Sequence, residues 1–274
     1  MSKPSSKVWF VTGASSGFGR EIVVAALERG ERVVAAVRSP ERFDLAAPEL
    51  LVVKLDVTAP ADVEASVRAA EARFGAIDVL VNNAGYSLVG AVEETSEGEL
   101  REAMETMFFG AVALTRAVVG GMRARGRGAI VQITSMGGLT TAPGFGAYCA
   151  AKHALEGLSE CMALELAPLG VQVLIVEPGA FRTALFGGRF RRMEEIAAYA
   201  PTVGPIRAYA AGNDGAQPGD PAKAAAAIVD AVETPRGLRL PLGADAVDAI
   251  RAKLASVLAD VDRNDAVARA TAFG

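Results

Sequence analysis

An α/β fold with a doubly wound parallel sheet (Rossmann-like), helices on both faces, is what this sequence predicts. Three observations carry the expectation. Short, continuously apolar runs recur from the first residues, longer amphipathic segments alternate with them, and a glycine-rich turn joins the first run to the first helical segment. Strands apolar on both sides belong in a parallel sheet buried between helix layers. No linker interrupts the pattern, so 1–274 is read as a single domain.

The elements follow in order. Residues 8–12 (Val-Trp-Phe-Val-Thr) form the first strand, and the turn from Gly13 to Gly19 opens a helix running to about Arg29. Strands are expected at 32–37, 51–55 and 79–82, with helices over 61–74 and 98–125. A strand at 129–134 leads through a glycine-rich loop into a helix carrying Tyr148 and Lys152, and further strands fall at 172–177 and 238–241. Helix 221–234 precedes the last strand, and an alanine-rich helix runs from Gly243 to about Val261. The least regular stretch is 185–220, rich in Gly, Pro and aromatic residues. An insertion of that length in a compact domain suits a substrate loop or lid.

Composition narrows the partners. With 28 basic and 32 acidic residues the formal charge is -4, which offers no field for nucleic acid or an anionic membrane. Cys149 and Cys161 lie 12 residues apart in one expected helix, where they cannot pair, and with the single His153 they form no metal-like cluster. The N-terminal MSKPSSK runs into a strand without the apolar region of a signal peptide, and no uninterrupted apolar run reaches spanning length. A cytoplasmic protein is expected.

The chemistry gathers in 135–152. An apolar strand delivers Ser135 to its end, and Tyr148 and Lys152 follow at a spacing that puts both on one helix face. A nearby ammonium favours the ionised phenol and is expected to lower its pKa. Hydroxyl, phenol and amine together can bind a carbonyl oxygen and move a proton to or from it. Elsewhere the strand ends carry Gly13-Ala-Ser15-Ser-Gly17-Phe18-Gly19, Asp56-Val57 and Asn82-Asn83-Ala84-Gly85, all where open α/β sheets bind ligands.

Together with Pro178-Gly179-x-x-x-Thr183, these motifs resemble the short-chain dehydrogenase/reductase family over almost the whole chain. The resemblance implies a nicotinamide cofactor. Gly13, Ser15, Phe18 and Gly19 would lie along its phosphates and ribose, Asp56 and Val57 near the adenine, and Asn83, Ala84 and Gly85 beside the adenosine. Pro178 and Gly179 belong to the same site, Lys152 would hold the nicotinamide ribose, and Thr183 the carboxamide. Tyr148 would be the general acid/base and Ser135 the group binding the substrate oxygen. Arg38, where an acid would otherwise bind the ribose hydroxyls, can pair with a 2'-phosphate, favouring NADP(H) over NAD(H).

One position departs from the family. Met107 stands where many members carry an asparagine that helps hold a water beside the lysine, and a thioether donates nothing. A nucleotide-binding regulatory protein with little turnover is therefore a second reading. Met136, Leu139, Pro143, Phe145, Leu185 and Phe186 would line a pocket for an apolar carbonyl or alcohol, although Arg182, Arg189, Arg191 and Arg192 could instead meet an anion. Homo-oligomerisation is expected through the helices after Gly98 and from Tyr148.

Overall fold

The run Val8-Trp9-Phe10-Val11-Thr12 has no charged side to give to water. The computed structural model, which describes residues 6–183 and 190–273, buries all five as β1 (Val8–Thr12). The chain continues through α1 (Gly17–Glu28), β2 (Arg32–Val37), β3 (Leu50–Lys54), α2 (Pro60–Phe74), β4 (Val79–Asn82) and β5 (Leu88–Val89). Then come α3 (Glu97–Met104), α4 (Gly110–Arg125), β6 (Gly128–Ile133), α5 (Gly146–Leu166), β7 (Val171–Pro178) and β8 (Arg191–Arg192). Last are α6 (Ala200–Gly212), α7 (Pro221–Glu233), β9 (Arg239–Leu242) and α8 (Ala244–Arg269). Seven strands pair in parallel in the order β3-β2-β1-β4-β6-β7-β9.

Side chains alternate across a strand, so each strand feeds two cores. Trp9 and Val11 pack with Ile22 and Val23 of α1 and with Ile228 and Val229 of α7. Val8 and Phe10 pack on the other face with Val67 of α2, Leu114 and Met122 of α4, and Met162 of α5. The strand order reverses between β1 and β4, and a crevice opens there at the strands' carboxyl ends. Thr12 stitches its two lips together. Its Oγ1 donates to the Val81 carbonyl at 3.2 Å and accepts from the amides of Asn83 at 2.9 Å and Ala84 at 3.0 Å.

The turn between β1 and α1 needs its glycines. Gly13 (φ 62°) and Gly17 (φ 55°) occupy the left-handed region. Gly19 needs the space: a Cβ there would lie 2.4 Å from the Gly13 carbonyl oxygen and 2.5 Å from Asn83 Nδ2.

The structure departs from the sequence reading in several places. The helical run expected over 98–125 is divided by a π-helical turn, Glu105–Phe109, with Met107 buried inside it. By length and mean hydropathy the run Glu97–Arg125 could cross a membrane, although charged residues such as Glu105 and Arg116 interrupt it. Its second half, α4, packs Leu114, Val118 and Met122 against the sheet. The stretch read as irregular contains β8, which pairs with β5, and α6, despite Pro205 within that helix. Glu94 ties this excursion down. Its carboxylate accepts from the amides of Ala91 at 2.6 Å and Ile196 at 2.8 Å and from Arg207 Nη2 at 2.6 Å. Helix α8 extends to Arg269, well past the expected end near Val261.

Gly19→Ala is expected to cost about 1–3 kcal/mol of stability by overpacking the turn, read by urea unfolding. A change indistinguishable from wild type would show that the turn yields freely.

Candidate active site

Strand β6 ends at Ile133, and two residues later Ser135 is extended, with its hydroxyl turned toward the crevice side of the next turn. Ser135 Oγ accepts from the Gly137 amide at 3.0 Å and lies 3.4 Å from the Pro178 carbonyl, to which it donates. Gly144 (φ 83°) then lets the loop turn into α5. From that helix Tyr148 and Lys152 project to the same cleft as Ser135. Lys152 is 5% exposed, and its Nζ donates to the Ile133 carbonyl at 2.9 Å and lies 5.8 Å from the centre of the Tyr148 ring.

Burial dominates the ionisation of both groups. It pushes the Tyr148 phenol up to about 12, against the opposing hydrogen bond of Ser135. It pulls Lys152 down to about 8, with Glu156 alone pulling the other way. The expectation that the lysine would lower the phenol's pKa is therefore corrected for this protein. Desolvation outweighs the one opposing hydrogen bond, that of Ser135, and the phenol enters neutral pH as an acid holding its proton.

Two cavities meet at Gly85 and Tyr86. The first is lined by Phe18, Asn83, Ser135, Tyr148, Lys152, Pro178, Gly179 and Thr183. The second holds Gly13, Ser15, Arg38, Asp56, Val57 and Ala84. Gly19 lines neither cavity; it seats α1 against the turn. Asn83 Nδ2 is engaged with the carbonyls of Thr12 at 2.9 Å and Gly13 at 3.3 Å. The Asp56 carboxylate accepts from the Thr58 amide and hydroxyl, which hold its pKa below the usual carboxylate range.

Met136 and Leu139 line neither cavity, whereas Phe145 meets Tyr148 edge-on at 6.1 Å between ring centres. Leu185, Phe186 and Arg189 lie outside the described residues. Met107 sits between the main cleft and a small space behind Lys152 lined also by Thr12, Asn82 and Leu155.

Sequence reasoning missed Tyr86, Phe181 and the Glu102–Arg191 pair. Tyr86 follows Asn83-Ala84-Gly85 directly and could have been found by its position. Phe181 packs against Phe18 with the rings tilted and their centres 5.0 Å apart, joining the glycine turn to the segment after Pro178. Arg191 makes a two-pronged ion pair with Glu102, at 2.6 and 2.7 Å, and lies 4.6 Å over the Tyr86 ring at the edge of the second cavity. That pair spans 89 positions in sequence, which no local pattern reveals.

The glycine-floored trough fits a dinucleotide. Ser16, Gly17 and Phe18 at the start of α1 line the first cavity, and a helix N-terminus offers amides and a positive dipole end to phosphates. An exposed guanidinium, Arg38, closes one end, and the hydroxyl, phenol and amine close the other.

Comparison with known proteins agrees with this geometry. A family model described as short chain dehydrogenase matches residues 7–194. The crystal structure of a short-chain dehydrogenase from Streptomyces avermitilis is 50% identical, with a TM-score of 0.93, over 98% of this chain and 100% of that one. The oxidoreductase BOA17 of Botryotinia fuckeliana is 35% identical over 263 residues, covering 94% of this chain and 96% of its own. A short chain dehydrogenase from Burkholderia cenocepacia, solved in complex with NADP, is 27% identical with a TM-score of 0.73, over 98% of both chains.

The phenol's raised pKa is directly measurable. In an ultraviolet phenolate titration, the difference between wild type and Tyr148→Phe is expected to have its midpoint near 12. A midpoint at or below 10 would contradict the burial argument. The linked stability has a definite sign. Between the ordinary value of 10 and about 12 the unfolded chain ionises first, so the Tyr148 contribution is lost as pH rises through that window.

Proposed function

Since the chain belongs to the short-chain dehydrogenase family of oxidoreductases, we propose that it moves a hydride between NADP(H) and an apolar carbonyl or secondary alcohol. The observation carrying this reading is the joining of the Ser135-Tyr148-Lys152 cleft to the glycine-floored trough at Gly85 and Tyr86. The nicotinamide, when bound, supplies or accepts the hydride.

The protein's own residues do the rest. Ser135 donates a hydrogen bond to the substrate oxygen. The Tyr148 phenol, still protonated at neutral pH, gives its proton to that oxygen as negative charge develops, and takes it back in oxidation. Lys152, held by the Ile133 carbonyl, offers its ammonium to the phenolate left behind and to the nicotinamide ribose. Thr183, Pro178 and Gly179 would hold the nicotinamide end, Gly13 and Ser15 the phosphates, and Asp56, Val57, Ala84 and Gly85 the adenosine. Phe181 and Tyr86 give the cleft an apolar wall.

The preference for NADP(H) rests on Arg38, an exposed cation in the second cavity that makes no ion pair among the described residues. The NADP complex of the Burkholderia cenocepacia relative supports a nicotinamide cofactor of either kind. Homo-oligomerisation belongs to the same reading, supported by Phe109 and Leu164, which stand 49% and 81% exposed on the two helical runs expected to form an interface. So does a reducing, cytoplasmic setting, supported by two free cysteines. The second reading, a nucleotide-binding protein with little turnover, draws on Met107, whose buried thioether flanks Lys152 without a polar group to offer.

The experiment that separates them follows NADPH consumption over a panel of apolar ketones. Tyr148→Phe is expected to lower turnover by about 10²- to 10⁴-fold while NADPH binding persists. Tight binding without turnover by any ketone or alcohol would favour the second reading. Arg38→Ala is expected to weaken NADPH binding by about tenfold or more, the scale of a lost charge-assisted hydrogen bond, and to leave NADH binding unchanged. Equal effects on both cofactors would contradict the assignment of Arg38.

A further inference from the structure

Glu156 lies one helical turn beyond Lys152 on α5, on the same face, and is 3% exposed. A carboxylate is rarely buried so deeply unless its charge is answered. Arg239 of β9 answers part of it, with Nη1 donating to Glu156 Oε2 at 2.6 Å. Glu156 Oε1 is buried with no hydrogen-bond partner among the described residues. It lies against the loop that carries Ser135: a Cβ on Gly138 would come within 2.8 Å of it, and the Gly138 amide donates to the Ser135 carbonyl at 2.8 Å.

The charge balance around that carboxylate is lopsided. Arg239 is shared among Glu156, Glu160 of the same helix and Glu177 of β7, so one guanidinium faces three acids. Burial first, then the charge of Glu156, raises the carboxyl of Glu177. The nearest further cation along α5 is Lys152, which makes no ion pair among the described residues. Met107, on the other side of Lys152, has nothing polar to add.

We propose that Glu156 is a positioning residue for catalysis, its buried carboxylate keeping Lys152 charged beneath Tyr148 while Arg239 fixes the carboxylate in place. The inference rests on the reading of Lys152 as the group that supports Tyr148. It assigns a task to a residue outside the Ser-Tyr-Lys constellation. The groups facing Lys152 and Glu156 are Tyr148, Cys149 and Glu160 from α5, Ser135 from the end of β6, Glu177 from β7 and Arg239 from β9. Of these, Glu156 is the acid whose charge raises the affinity of Lys152 for its proton.

The test does not depend on turnover. The chain has six lysines, so isotope labelling of the lysine side chains resolves Lys152, assigned by Lys152→Arg, in an NMR pH titration of the full-length protein. Glu156→Gln keeps the side chain's shape and removes its charge. The Lys152 midpoint, near 8 in wild type, is expected to fall by about one pH unit or more, the scale of losing one near charge, and Glu160→Gln to leave it in place. Should Glu156→Gln fail to fold, Glu156→Asp draws the charge back and is expected to move the midpoint the same way. A midpoint unmoved by either Glu156 variant, or moved equally by Glu160→Gln, would overturn the proposal. With a reducible ketone the alkaline limb of kcat/KM is expected to move with that midpoint. A lysine that shifts in a protein without turnover would uphold the link between Glu156 and Lys152 and fail only the enzymatic reading.

Discussion

The cost of holding an ammonium inside the protein governs the site. Lys152 is almost wholly removed from water and meets one carbonyl directly, that of Ile133 at the end of β6. Charge in such a place has to be supported by dipoles and by opposite charge, because desolvation alone would discharge it. The same burial that makes the lysine willing to lose its proton makes the Tyr148 phenol unwilling to lose its own. Two groups pushed toward neutrality from opposite sides sit beside Ser135, and a negative oxygen arriving there would find a proton donor and a cation.

That arrangement depends on the sheet beneath it. Ile133 and Ser135 are where they are because β6 lies in register between β4 and β7, and Pro178 reaches Ser135 because β7 runs beside β6. The crevice exists because strand order turns back between β1 and β4, and Thr12 holds its lips at a fixed width through three hydrogen bonds. Glycines on the floor remove side chains where a long ligand must lie close to backbone. The fold therefore supplies a trough with Arg38 at one end and Ser135, Tyr148 and Lys152 at the other.

Much of this was readable from the sequence. Parallel strands announce themselves as continuous apolar runs, and the seven of the main sheet fall where those runs fall. The glycine turn, Asn82 to Gly85, Ser135, Tyr148 and Lys152 stand at strand ends or on one helix face, where local spacing is informative. What escaped depends on distance or on environment. Strands β5 and β8 have two residues each, too few for any period, and α6 carries a proline that reads as a break. The Glu156–Arg239 contact joins residues 83 apart, and the π-helical turn around Met107 has no pattern of its own. The direction of the tyrosine's shift could not be read at all, since spacing shows that a lysine is near but not how much water the fold excludes.

The central claim, that Tyr148 serves as proton donor in a hydride transfer from a nicotinamide, is tested most directly by isotope. NADPH deuterated at its transferable position is supplied with a ketone that the protein consumes, and the alcohol is analysed by mass spectrometry for deuterium at the carbinol carbon. One deuterium per alcohol is expected with wild type, and almost no product with Tyr148→Phe despite retained NADPH binding. An alcohol without deuterium, or labelled product formed equally fast by Tyr148→Phe, would contradict it.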